Sequence, residues 1–285
     1  MLPRRSFLTL VTAGVGLSTL PARAAVPDGI TVALPGVRLF VRDTGGDGTP
    51  AVLLHANTGT SASWADQFDA LSTAGYRVIA FDRRGWGNSI ADPSTGPQPG
   101  SVAEDLAMLV DHLRLPSFHL IGVAGGGFVA LDYAGWRPQT LRSLVVAAST
   151  GSFSEPEMQQ LSRNLDVPGF RQLPESFIEI GPSFRAAHPE RTAAWLEAEE
   201  KARQKNARPQ PLRTPNTFAK VEAIHTPLLV ISASADLLAP PALMQRWVRH
   251  MPQAEWFSIA DAGHSVPMEQ PDGFNKAALD FIRRH

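Results

Sequence analysis

Hydrophobic positions along this chain follow two rhythms. Residues 51–55 (AVLLH), 76–82 (YRVIAFD), 118–123 (FHLIGV), 141–150 (LRSLVVAAST) and 227–236 (PLLVISASAD) are nearly continuous apolar runs, each ending in polar or small residues. Runs of that length predict strands buried on both faces, whereas the alternation in 37–45 (VRLFVRDTG) predicts a strand with one face toward water. Residues 254–264 (AEWFSIADAGH) repeat the design of a strand followed by a loop. Between these runs the spacing becomes helical: Trp64, Phe68 and Leu71, then Val102, Leu106, Leu109, Val110 and Leu113, then 126–136 and 274–284. Ser101 followed three residues later by Glu104 predicts a capping box opening a helix over 101–113. Strands that alternate with helices predict an α/β fold, a mostly parallel central sheet of about eight strands with helices on both faces.

Residues 153–220 break this pattern, being charged, punctuated by proline and without a convincing buried strand. Their strongest helix spans 191–207. The segment predicts a helical cap inserted between a first part of the core, 25–152, and a second, 221–285. Leu161, Leu165, Phe170, Phe177, Ile178, Phe184 and Trp195 predict an apolar lid, and with it a modest, largely uncharged organic substrate.

Composition narrows the function. The 26 basic and 27 acidic side chains nearly cancel, so no large field favours nucleic acid or an anionic membrane, and a small-molecule substrate is the expected partner. No cysteine is present, which excludes disulfides, thiolate metal sites and a cysteine nucleophile. The first 24 residues place Arg4 and Arg5 before an apolar stretch from about Phe7 to Leu20, followed by Ala22-Arg23-Ala24. That pattern predicts an export signal with a cleavage site, and the Arg4-Arg5-Ser6-Phe7-Leu8 run resembles a twin-arginine signal. The apolar run is short for a bilayer span, so the expectation is a periplasmic or secreted bacterial protein with no stable membrane anchor after cleavage. Cleavage removes three arginines and no acidic residue, leaving a mature net charge of about −4.

In a parallel sheet, loops leaving the carboxyl ends of the strands converge on one rim, where sites form. His55, Asp82, Ala124, Asp236 and His264 all sit at such ends. Singly, an Asp or His in a loop is an ordinary turn or surface residue. Together after successive late strands, Asp236 and His264 can meet, the carboxylate fixing one imidazole nitrogen and leaving the other free as a general base. His55 lacks a second ligand at metal spacing, and the glycine cluster "GVAGGG" (122–127) lacks the lysine of a phosphate-binding loop. Neither a metal nor another cofactor is implied. Trp86 and Arg84 are expected to support the wall of the site.

Five segments, in order along the chain, resemble the α/β-hydrolase fold superfamily. "GVAGGG" (122–127) resembles its nucleophile elbow, G-x-S-x-G. "HANTG" (55–59) resembles its oxyanion loop, and "FDRRGWGNS" (81–89) the loop after the fourth strand. "SADLLAP" (234–240) and "DAGHSVPMEQP" (261–271) resemble its acid and histidine loops. The resemblance implies Asp236 as orienting acid, His264 as base, and the backbone N–H groups of Gly125 and Asn57 as an oxyanion hole. Gly122 and Gly126 then serve the tight turn, and His55 and Trp86 line or support the pocket.

The departure is Ala124, which stands where the family carries its serine. A methyl group cannot attack a carbonyl, so no acyl-enzyme forms at this position. Ser265, Ser149, Thr58 and Thr60 lie nearby in the motifs but none occupies the elbow. The expectation is an enzyme that acts on an ester, lactone or C–C bond through its His–Asp base and oxyanion hole, since the superfamily includes members that use such a pair without a covalent step. Two alternatives stay open: a serine-to-alanine variant of an ordinary esterase or lactonase, and a protein that keeps the pocket only to bind a ligand.

Overall fold

A computed structural model describes residues 26–285; the export segment read at 1–24 lies outside the described residues. Nine strands form one sheet: β1 (Ile30–Leu34), β2 (Val37–Asp43), β3 (Pro50–Leu54), β4 (Arg77–Phe81), β5 (Ile90–Ala91), β6 (Phe118–Val123), β7 (Leu141–Ala147), β8 (Leu228–Ala233) and β9 (Glu255–Ile259). Their order is β1-β2-β4-β3-β6-β7-β8-β9, with β5 paired to β2 at the edge. From β4 onward along that order every pairing is parallel, while β1, β2 and β5 pair antiparallel.

The eleven α-helices among the described residues are α1 (Ala65–Thr73), α2 (Val102–His112), α3 (Gly125–Trp136), α4 (Pro156–Leu165), α5 (Glu175–Glu179), α6 (Pro182–Ala187), α7 (Pro189–Ala202), α8 (Phe218–Glu222), α9 (Pro241–Val248), α10 (Val266–Glu269) and α11 (Pro271–Ile282). Because side chains alternate across a strand, the continuous apolar runs supply two cores at once. Val52, Leu54, Leu120, Val146 and Val230 pack against α2, α3 and α9, with Trp247 fully buried among them. Leu53, Ile121, Val145 and Ile231 pack on the opposite face against Phe68 of α1 and Phe274 and Phe281 of α11. Among the described residues no helix is long and apolar enough to cross a membrane.

Several expected boundaries move. The helix read over 191–207 runs instead from Pro189 to Ala202, where a bridge between Trp86 and Arg203 and the Gln204 N–H bond to Gly85 take over the chain. The helix expected from Gly126 begins at Gly125, and the last helix begins at Pro271. Ser101 caps α2 by accepting the Glu104 N–H, but its hydroxyl donates to the Glu104 carboxylate, so the reciprocal half of a capping box is replaced by a side-chain pair. Strands β1 and β5 carry no signal read above: β1 exposes every second residue and β5 is two residues long.

Helices α4 to α8 all lie between β7 and β8. The α5–α6 junction packs onto the loop after β9: the His264 and Ser265 N–H groups donate to the Glu179 carbonyl, and Gly181 N–H and Gly263 N–H both donate to the Glu269 carboxylate. The end of α7 is pinned to the loop after β4, where Gly87 N–H donates to the Ala202 carbonyl.

Candidate active site

At the carboxyl end of β6 the chain turns through Ala124 into α3. Ala124 has φ 51° and ψ −116°, a conformation that a residue with a Cβ adopts at a cost of about 1–3 kcal/mol and holds only where its surroundings dictate it. Here they do. The Ala124 N–H bonds to the Ala147 carbonyl of β7, and its own carbonyl accepts from the Ser149 hydroxyl at 2.8 Å and the Gly127 N–H at 3.0 Å. The turn also forces backbones together: a Cβ on Gly122 would lie 2.5 Å from the Gly126 carbonyl oxygen, and one on Gly126 would lie 2.1 Å from that of Leu54. The glycine cluster is therefore steric.

Asp236 and His264, 28 residues apart, meet as their strand ends predict. The His264 Nδ1–H donates to both carboxylate oxygens of Asp236, at 3.0 and 2.9 Å. Leu238 and Ala239 N–H groups, each 2.8 Å from Oδ1, hold the carboxylate in place. With Nδ1 committed, Nε2 is the nitrogen left for chemistry.

A third carboxyl group joins them that the sequence reading missed. Glu179, at the end of α5, lines a cavity of about 350 Å³ together with Ala124, Gly125, Asn57 and His264. It is only 7% exposed, and Thr58 Oγ1 donates to its Oε2 at 3.5 Å. Burial alone would lower the His264 pKa, but Asp236 and Glu179 outweigh it and push it up to about 9. Burial raises the Glu179 carboxyl in turn, against the pull of His264. No pattern marks Glu179, because α5 is a single turn in a segment without a regular apolar face.

Asn57 and Gly125 stand side by side, the Asn57 Oδ1 lying 2.4 Å from where a Gly125 Cβ would be. The Asn57 N–H makes no hydrogen bond among the described residues, and Gly125, first residue of α3, has no intrahelical acceptor for its N–H. Two backbone donors thus remain unused beside the Ala124 methyl. His55 supports them: its Nδ1–H donates to the Ala56 carbonyl at 2.7 Å and Nε2 accepts the Arg83 N–H at 3.0 Å. Burial, then the nearby Arg83, depresses its pKa well below the ordinary value, so the ring is neutral. Trp86 supports the same loop by donating from Nε1 to the Asn57 carbonyl at 2.7 Å.

Arg84 does not belong to this wall. It is buried in a pair with Asp105, at 2.6 Å, and also bonds the Pro97 carbonyl, away from the cavities. Its neighbour Arg83 lines a cavity instead. Asp82 is likewise structural, accepting from Ser61 and Asn88 N–H groups. Ser149 is spent on the elbow carbonyl, and Thr60 caps the turn at 61–64. Of the expected lid residues, Leu165 and Phe170 line the 350 Å³ cavity. Trp195 lines a neighbouring one of about 410 Å³ that also touches His264. Phe177 faces outward under the Arg185 guanidinium. Among the described residues no cluster of His, Asp or Glu is arranged to hold a metal ion.

Known proteins share this arrangement at the level of the whole chain. A solved esterase from Thermogutta terrifontis, with malate bound, superposes with a TM-score of 0.74 at 28% identity, over 92% of this chain and 98% of its own. A protein of Variovorax paradoxus named "Putative carbamate hydrolase RutD" is 32% identical over 252 residues, 82% of this chain and 92% of that relative. A 2-hydroxy-6-oxononadienedioate/2-hydroxy-6-oxononatrienedioate hydrolase of Burkholderia vietnamiensis is 28% identical over 264 residues, 87% and 92% of the two chains. The model of the alpha/beta hydrolase family matches residues 51–277, from β3 into α11, and so spans the elbow, the acid and the histidine. With that span matched, this chain belongs to the alpha/beta hydrolase family.

Proposed function

We propose that the protein hydrolyses a small carbonyl compound, an ester, lactone, carbamate or activated C–C bond, by direct attack of water, with residues 153–220 acting as a cap over the site. The observation that carries the reading is the His264–Asp236 pair at one wall of a cavity with an inert methyl, Ala124, in its lining and two unused backbone donors, Asn57 and Gly125, alongside. The substrate carbonyl oxygen accepts from those two N–H groups. Neutral His264 takes a proton from water through Nε2, and the hydroxide equivalent adds to the carbonyl carbon. The negative charge moves to the oxygen, where two fixed donors are worth several kcal/mol. Collapse breaks the bond to the leaving group, and the His264 imidazolium returns its proton to it. Asp236 stabilises the imidazolium in between. The relatives, one named a carbamate hydrolase, one a 2-hydroxy-6-oxononadienedioate/2-hydroxy-6-oxononatrienedioate hydrolase and one an esterase, support this class of substrate.

The test is turnover of a panel of small esters, lactones and carbamates by the protein as it stands and by His264→Ala. A fall of at least ~100-fold is expected from loss of a general base; undiminished activity overturns the base. The strained elbow favours a second reading. Its conformation serves to project a side chain at 124, and a methyl gains nothing from that strain, so the chain also reads as a serine-lacking form of a covalent esterase. In that case Ala124→Ser raises aryl-ester turnover by several orders of magnitude, and no gain counts against it.

A further inference from the structure

Beside the reacting cavity lies a larger one, about 540 Å³, which shares Asn57, Thr58, Gly125 and Phe128 with it. Arg83 lines this second cavity and is only 5% exposed. Its Nη2 donates to the Ala56 carbonyl and to Asn57 Oδ1, both at 3.0 Å, but among the described residues Nε is buried without a partner and Nη1 makes no hydrogen bond. No carboxylate pairs with it among the described residues. A second guanidinium, Arg203, lies at the rim of the same cavity, also without an ion pair there, and the two bracket the Trp86 ring at 4.5 and 5.4 Å.

A buried cation without a counter-ion is costly, and an anion supplied from outside the chain offsets that cost. Burial and the proximity of Arg203 push Arg83 down to about 9, which leaves it charged at neutral pH. The acidic groups on this wall do not neutralise it. Asp132 is committed to Lys220 at 2.6 Å and to the Arg213 and Thr214 N–H groups. Burial, with Glu175 and Glu200 nearby, disfavours the charge on Glu199, which forms no ion pair with either arginine.

The geometry points to an anion subsite: Arg83, with Arg203 at the rim, holds a carboxylate carried by the substrate while the carbonyl to be attacked sits at Asn57 and Gly125. This inference rests on the hydrolytic reading above and sharpens its substrate to an acid whose carboxylate and reactive carbonyl are joined by a short chain. The expectation of an uncharged substrate came from apolar residues of 153–220; Arg83 belongs to the opposite wall, and the Arg83-Arg84 pair does not reveal in sequence which of the two is neutralised.

The experiment is calorimetric binding of 5-oxohexanoate and of its neutral counterpart 5-oxohexanamide, neither of which carries an ester, lactone, carbamate or activated C–C bond, to the full protein, Arg83→Gln, Arg203→Gln and His264→Ala. The acid is expected to bind at least ~10-fold more tightly than the amide, the scale of a charge-assisted hydrogen bond. Arg83→Gln abolishes that preference, Arg203→Gln lowers it about threefold by removing an exposed charge, and His264→Ala keeps it. Equal affinity for acid and amide, or a preference that survives both arginine changes, overturns the subsite. If Arg83→Gln does not fold, the acid-to-amide ratio and its response to Arg203→Gln decide alone. Loss of the acid preference with His264-dependent turnover intact refutes only this inference, whereas an intact preference with His264-independent turnover refutes the hydrolytic mechanism.

Discussion

Replacing Glu179 by glutamine removes one of the carboxylates that face His264 while leaving Asp236 hydrogen-bonded to it and Glu269 farther off. The Glu179 carboxylate is one of the charges that raise His264; two unit charges about 12 Å apart at an effective dielectric constant of ~20 interact by about 1.4 kcal/mol, which is one pKa unit, and a closer approach gives more. The imidazole held up at about 9 in the protein as it stands is therefore expected to titrate roughly one unit or more lower in Glu179→Gln. The assay is a ¹⁵N NMR titration of the histidine side chains, with His264 assigned by its absence from His264→Ala, and it needs no substrate. Turnover should follow: the neutral base fraction grows as pH rises toward 9, and the Glu179→Gln profile rises earlier. The same shift bears on folding. A rise from 6.5 to about 9 stabilises the fold by a few kcal/mol, on the order of 1.4 kcal/mol per pKa unit, present in full below pH 6.5 and lost as pH climbs through 9. A His264 midpoint at or below 6.5 would mean that burial outweighs the carboxylates, and an unmoved midpoint in Glu179→Gln would remove Glu179 from the site.

Three further outcomes are expected. Asp236→Asn, which keeps the shape but removes the charge that orients the ring, lowers turnover by roughly 10³ to 10⁴ with little change in KM, a loss that stopped-assay kinetics would detect. Gly126→Ala drives a methyl into the Leu54 carbonyl, which the parallel β3–β6 ladder cannot yield, so urea unfolding should register at least ~2 kcal/mol of lost stability. Asp105→Ala strands the buried Arg84 guanidinium and should cost about 3–5 kcal/mol in the same measurement, leaving catalysis by the remaining folded fraction unchanged.

What could be read from the sequence was whatever a strand end determines. β3, β4, β6, β7 and β8 are buried on both faces along most of their length, so their apolar runs are nearly continuous and their loops fall on one rim, which brings Asp236 to His264 and places Ala124 and Asn57 beside them. The strained turn at Ala124 was legible too, because glycines at 122 and 126 are the only residues that fit there. Glu179 and Arg83 were not. Glu179 reaches the site only because the α5–α6 junction docks on the His264 loop through bonds to the Glu179 carbonyl and the Glu269 carboxylate, which no hydrophobic periodicity encodes. Arg83 differs from Arg84 only in its partners, and those come from α2 and the oxyanion loop, far away along the chain. The edge strand β1 shows no polar–apolar alternation because its exposed positions include Ile30 and Ala33, and β5 is too short to show any.

In the mechanism proposed, water activated by His264 attacks the substrate without a covalent enzyme intermediate. Intact-mass spectrometry of the protein quenched during steady-state turnover of phenyl acetate, run beside the rate of His264→Ala, tests it most directly. Turnover is expected to collapse without His264 while the protein retains its unmodified mass throughout. An acetylated protein accumulating during turnover, or a rate indifferent to His264, would contradict it.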